Sequence, residues 1–205
     1  AYTLYPDVLS RSESRQALAF DQEELLVLAF GTIRQNRERE FVEEVARRVE
    51  RPILIVAPNA TTKKKQTTKR FAQSRMILGS DFVPLEQVQP WFSASDAVLV
   101  PRVDTLNSGV LPLAYSFGKP VIAYDTGNIG WIARQTGNFV ISDGDWTDLK
   151  RFSGLNKDEL KMIGDSNKAL AESSWTPAKI CSLWLDAYRA ELDNKRKGDP
   201  TKLPV

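Results

Sequence analysis

Short runs that are apolar at every position, spaced by stretches with helical periodicity, constrain this chain more than any other feature. Glu24 to Phe30 is such a run and ends at Gly31. Pro52 to Ala57, Asp96 to Pro101, Pro120 to Ala123 and Asn138 to Ile141 follow it. A strand apolar on both faces has to be covered on both faces, which is the condition of a strand inside a parallel sheet. Between the first two runs, Glu38 to Glu50 places Phe41, Val42, Val45, Ala46 and Val49 at helical spacing among charges. Leu85 to Ser95 and Ser108 to Phe117, the latter stopped by Gly118, read as further helices. Strand and helix in alternation define an α/β protein with a doubly wound parallel sheet, Rossmann-like in layout.

From about residue 145 onward the pattern is helical throughout. Thr176-Pro177 offers a hydroxyl N-cap followed by proline at the first helical position. Ile180, Leu183, Trp184, Ala187, Tyr188 and Leu192 then fall on one stripe, and Cys181 beside them is assigned to the core. The expected organisation is an entry segment over 1–20, a domain with C-terminal helices over 21–193, and a flexible, charged tail over 194–205. The opening residues read as a linker from a preceding lobe, which would make the chain a fragment.

What the chain lacks narrows its chemistry. There is no histidine, which removes Ser-His and Cys-His dyads and every imidazole zinc site. A single cysteine, Cys181, removes thiolate clusters and internal disulfides. A proton-transferring group supplied by this chain would be Asp, Glu, Lys or Tyr. The net charge of +2 is too small to argue for nucleic acid as a partner. With no signal-peptide pattern and no apolar run of membrane-spanning length, a cytoplasmic location is expected. Thr61 to Arg70 holds Lys63, Lys64, Lys65, Lys69 and Arg70 without an acid. It reads as a solvated loop and helix start; the sharper alternative is contact with phosphate or an anionic membrane surface, hence a peripheral position at the membrane.

Ligands of open parallel sheets sit at the carboxyl ends of strands, where helix N-termini point free amides. Two strand ends suit an anion. At the first, Gly31 allows close backbone approach, and Arg34 and Arg37 supply fork-shaped donors that match phosphate. At the second, Asp104-Thr105-Leu106-Asn107-Ser108-Gly109-Val110 opens a helix with Asn107 or Ser108 as the cap, and Gly109 leaves the amides unscreened. A third, Tyr124 to Gly130, either touches ligand or only makes the turn.

The ordered set Gly31-Thr32-Ile33-Arg34 through Arg37, Phe82-Val83-Pro84, Asp96 to Pro101, Ser116 to Ala123 and Ser174-Trp175 resembles the C-terminal, donor-binding half of GT-B glycosyltransferases, specifically the large family-four group. The resemblance runs from about Tyr5 to Leu192 and is densest over Asn107 to Ala123. It implies a lobe that binds a nucleotide-diphospho-sugar, paired with an N-terminal lobe that holds the acceptor (a glycan, a lipid-linked glycan or another molecule). It implies a catalytic or charge-stabilising role for Arg34, Arg37 and Asp104. Arg37 stands at the family's lysine position, and Thr32 at its arginine position, with Arg34 taking over. Gly31, Thr32, Asn107, Ser108, Gly109 and Val110 become the donor-phosphate contacts, and Phe82, Val83 and Pro84 flank the nucleobase. No metal and no cofactor are called for, since the nucleotide sugar is the substrate.

The sequence departs from the family at two positions. The family places two glutamates eight residues apart around this helix, the second bonding the ribose; here those positions are Thr105 and Leu113. Leucine accepts no hydrogen bond. The competing expectation is therefore a degenerate, non-catalytic module that binds nucleotide or protein. An unrelated flavodoxin-like regulatory domain fits less well, because Asp104 and Asp125 lack companion acids at the first strand.

Overall fold

A computed structural model describes residues 5, 8–60, 67–79 and 82–196. The apolar runs form β1 (Leu26–Ala29), β2 (Ile53–Ala57), β5 (Ala97–Val100), β6 (Val121–Tyr124) and β7 (Phe139–Ile141). Nearly every residue in them is buried, as runs without alternation require. Two further strands, β3 (Thr67–Arg70) and β4 (Ser74–Leu78), complete a seven-stranded sheet in the order β3-β4-β2-β1-β5-β6-β7. All neighbours are parallel except the antiparallel edge pair β3 and β4.

This edge corrects the reading of Thr61 to Arg70. The residues 61–66, with Lys63, Lys64 and Lys65, lie outside the described residues; Thr67 to Arg70 is an exposed edge strand and not a helix start. One face of an edge strand needs no apolar cover, so its composition looks like a loop. Lys69 is held by Glu43 at 2.6 Å.

Helices clothe both faces. α2 (Asn36–Arg48) and α6 (Thr147–Gly154) cover one, burying Phe41, Val45 and Phe152 against Val27, Ile55 and Phe139. α3 (Leu85–Ala94), α4 (Val110–Ser116) and α5 (Gly127–Gln135) cover the other, where Phe92, Leu111 and Ile129 meet Leu28, Val98 and Val121. α1 (Arg11–Ala17) packs on α3. Its Arg15 is fully buried and donates to the carbonyls of Asp21, Glu24 and Ala94 and to Asp96, stitching this segment to the amino-terminal ends of the strands. α7 (Lys157–Ser174) seats against the end of α4 at backbone distance: a Cβ on Gly164 would lie 2.0 Å from the Gly118 carbonyl oxygen.

α8 (Pro177–Arg196) begins where Thr176-Pro177 predicts, with the Lys179 amide donating to Thr176 Oγ1. Its apolar stripe does not enter the core. Leu183, Trp184, Tyr188 and Leu192 are each more than half exposed, and Cys181 is exposed, which corrects its assignment to the interior. Helical spacing shows that a face is apolar, not what covers it. Among the described residues, no helix is long and apolar enough to cross a membrane.

Candidate functional site

The sheet reverses its winding between β1 and β5, which are adjacent although β2 to β4 intervene in sequence. The loops leaving their carboxyl ends therefore diverge and leave a crevice between them. The first is Gly31 to Gln35. Gly31 has a φ of +98°, a conformation side chains resist, and its amide donates to Asn59 Oδ1 at 3.0 Å. That amide is consequently engaged within the fold.

Glu38, in the first turn of α2, organises this loop. Its Oε2 accepts from the amides of Arg34 at 2.7 Å and Gln35 at 3.3 Å, closing a capping box. Its Oε1 takes Arg102 Nη1 at 3.1 Å, in an ion pair whose side chains are only 6% and 12% exposed. The same Nη1 donates to the carbonyls of Thr32 at 3.3 Å and Pro101 at 2.8 Å. One buried carboxylate thus pins both strand ends. Spacing reveals the capping box, with Glu38 three residues after Gln35; the inward turn of Arg102 has no sequence signal.

The second loop carries Asp104, whose Oδ1 meets Arg37 Nη1 at 2.6 Å across the crevice. The structure brings these two candidate residues together at the surface. Arg34 is exposed and has no side-chain partner among the described residues. Tyr124 stands close by at the end of β6, where its hydroxyl donates to Asp143. That bond, with burial and the Asp143 charge, pushes the phenol above its ordinary range, while Arg37 pulls the other way. Tyr124 belongs to the third strand end marked in the sequence, whereas Asp143 and Asn59 carried no sequence signal, since each lies far along the chain from the loop it supports.

The helix after this loop opens later than the sequence predicts. α4 starts at Val110 with Gly109 at the N-cap, not at Asn107 or Ser108. Asn107 has another partner: its Oδ1 accepts from Asn128 Nδ2 at 2.9 Å. Ser108 Oγ accepts from the Val110 amide at 3.2 Å, so that amide is engaged as well. The amides of Ser108 and Gly109 have no partner among the described residues. The third strand end braces the second. The Asn128 amide donates to Leu106 O at 2.9 Å, and Gly127, at φ +46°, comes so near that a Cβ would lie 2.6 Å from that oxygen. A cavity of about 300 Å³, walled by Leu111, Ile132 and Trp175, opens between Ser108 and Asn128.

Phe82 is 85% exposed beyond the end of β4; Val83 is buried and Pro84 is the N-cap of α3. Of the two positions that depart from the family pattern, Thr105 uses its carbonyl to accept from Thr126 Oγ1 at 3.4 Å. Leu113 is 6% exposed and packs in the core between α4 and the sheet.

A doubly wound sheet of this strand order, with a crevice at its reversal and helices on both faces, has the fold of one lobe of a GT-B glycosyltransferase. No protein-family model matches the sequence, and no curated protein matches it. Among solved structures, the chain is similar to a sucrose-phosphate synthase from Thermosynechococcus elongatus, with a TM-score of 0.67, 15% identity, and 93% of this chain and 50% of that one covered. It is similar to WaaG, a glycosyltransferase involved in lipopolysaccharide biosynthesis, with a TM-score of 0.56, 14% identity, and 80% and 46% covered. A glycosyltransferase from Rickettsia africae gives 0.58, 12% identity, and 90% and 52% covered. The chain thus spans about half the length of these proteins, and at such identities the likeness is one of fold.

Proposed function

We propose that this chain is the donor-binding lobe of a glycosyltransferase and holds a nucleotide-diphospho-sugar while an acceptor, bound on a second lobe, receives the sugar. The observation that carries the reading is convergence. Arg34 and Arg37 from one strand end, and the unengaged amides of Ser108 and Gly109 from the next, border a single crevice at the sheet reversal. Such a place suits a diphosphate, because cations and amide dipoles stabilise the charge that grows on a departing nucleoside diphosphate. The exposed ring of Phe82, on the same edge of the sheet, offers a stacking face for a nucleobase.

Two features favour an incomplete machine. The fold corresponds to half of its structural neighbours, and the apolar stripe of α8 lies uncovered, as expected of a surface that a second lobe of the same enzyme would cover. Sugar transfer would need both lobes, and the hexose, nucleobase and acceptor would be chosen largely by their pairing. Cytoplasmic placement remains part of this reading, as does the absence of any metal requirement.

The second reading, a module that binds a nucleotide or a protein without transferring sugar, is favoured by one specific observation. Leu113 occupies the family's ribose-binding position and is packed into the core. Calorimetric titration of the chain with UDP, GDP, ADP and pyrophosphate tests the leading reading. Saturable binding of a nucleoside diphosphate supports it, and no heat with any of them overturns it. Donor turnover by the enzyme with both lobes then separates transfer from binding alone.

A further inference from the structure

Arg102 is the one arginine at the crevice that is mostly buried, and its three inward bonds all come from Nη1. Nε and Nη2 have no acceptor among the described residues. Nη2 lies against Gly31: a Cβ built there would sit 3.3 Å from it. A guanidinium fixed by one nitrogen, with the rest of its fork unspent, is prepared to take an anion without reorganising. It also stands beneath Thr32, the position where the family resemblance implies an arginine and this chain has none.

We propose that Arg102 is an anion-binding residue of the donor site, reaching the diphosphate from the second strand end in place of the cation missing at Thr32, with Glu38 as the residue that positions it. The proposal rests on the donor-site reading above. Glu38 acts at a distance from the ligand: it sets the guanidinium's place and holds the Arg34-Gln35 turn, so the loop and Arg102 are aligned by one group. The bonds to the Thr32 and Pro101 carbonyls fix the plane of the fork. Gly31 is required in two ways, by its backbone angle and because a side chain would press on Nη2.

The test titrates inorganic pyrophosphate, and UDP in a second series, into the chain and into Arg102→Lys and Arg102→Met. Arg102→Met is expected to weaken pyrophosphate about ten-fold or more, because charge-assisted hydrogen bonds are lost. Arg102→Lys keeps the charge beside Glu38 but cannot serve Glu38 and a ligand with separate nitrogens. It should fold, by circular dichroism and thermal melting, and still weaken pyrophosphate several-fold. Should Arg102→Met not fold, Arg102→Lys carries the test alone. Wild-type affinity in a folded Arg102→Lys together with a folded Arg102→Met, or in Arg102→Lys alone when Met does not fold, overturns the role of Arg102 and leaves the donor site standing. A wild-type chain that binds neither probe overturns both.

Discussion

Arg37 and Asp104 face each other across the crevice with Nη1 2.6 Å from Oδ1, and both remain substantially open to solvent, at 55% and 42% of their side-chain surface. An exposed pair of this kind contributes roughly 0–1 kcal/mol to folding. The fold therefore depends little on either member, and on the donor-site reading their weight falls on the ligand. Arg37→Ala should shift the urea midpoint little and weaken nucleoside diphosphate binding by about ten-fold. In the enzyme with both lobes it should lower turnover far more than stability. Equal affinity and turnover in mutant and parent would sink the assignment.

Asp104→Asn makes the opposite prediction. In the proposed donor site the carboxylate would compete with an incoming diphosphate for the Arg37 guanidinium. Removing its charge should tighten pyrophosphate severalfold at low salt, and the gain should fade as salt screens it. Weaker binding in the asparagine variant would mean that Asp104 holds Arg37 in place for the ligand rather than competing with it.

Leu113→Glu would restore the family's acid on paper. Its side chain is in the core, 6% exposed, so a carboxylate there has no water and no partner. The expected result is a loss of about 3–5 kcal/mol in denaturant unfolding and no gain in affinity for UDP. A stable variant that bound UDP more tightly would show that this position reaches the ribose after all.

Tyr115 gives a prediction in pH. Burial pushes its phenol up to about 12, against the opposing pull of its hydrogen bond with Thr136. The raised value means that the fold prefers the neutral ring. Its contribution is complete below the unfolded value of about 10 and is lost as pH rises from there towards 12, amounting to roughly 2–3 kcal/mol. Urea midpoints at about pH 9 and about pH 11.5 should converge between parent and Tyr115→Phe at the higher pH. A gap that does not narrow would show that the phenol ionises in the fold as easily as in the unfolded chain.

Ending the chain after Thr176 removes α8, whose residues 177–190 are all exposed. The remaining body should melt within about 2 °C of the parent, since little of its core is touched. A large drop would place α8 inside the folding unit rather than at its margin.

The parts of the fold that were legible in sequence are those whose burial is two-sided. β1, β2, β5, β6 and β7 announce themselves because each must be apolar at every step. β4 escaped because Ser74-Arg75-Met76-Ile77-Leu78 alternates buried and half-buried positions around an arginine, and β3 because its exposed residues are threonines and basic groups. The site was legible as two strand ends but not as one assembly. Which of Arg34, Arg37 and Arg102 turns inward depends on where Glu38 lies in space, and sequence neighbours carry no trace of that 64-residue separation. Likewise Asn107 and Ser108 are both good caps by type, but Asn107 is taken by Asn128 on the turn that Gly127 brings against Leu106, and Ser108 by the local Val110 amide.

The contact of Gly164 with Gly118 has a mechanical meaning. With backbone against backbone there is no side chain to act as a cushion, and any side chain added at Gly164 would force α7 away from the turn that ends α4. The eighteen residues of α7 are coupled through this contact to the turn that ends α4, so a displacement of either helix has to be shared by both.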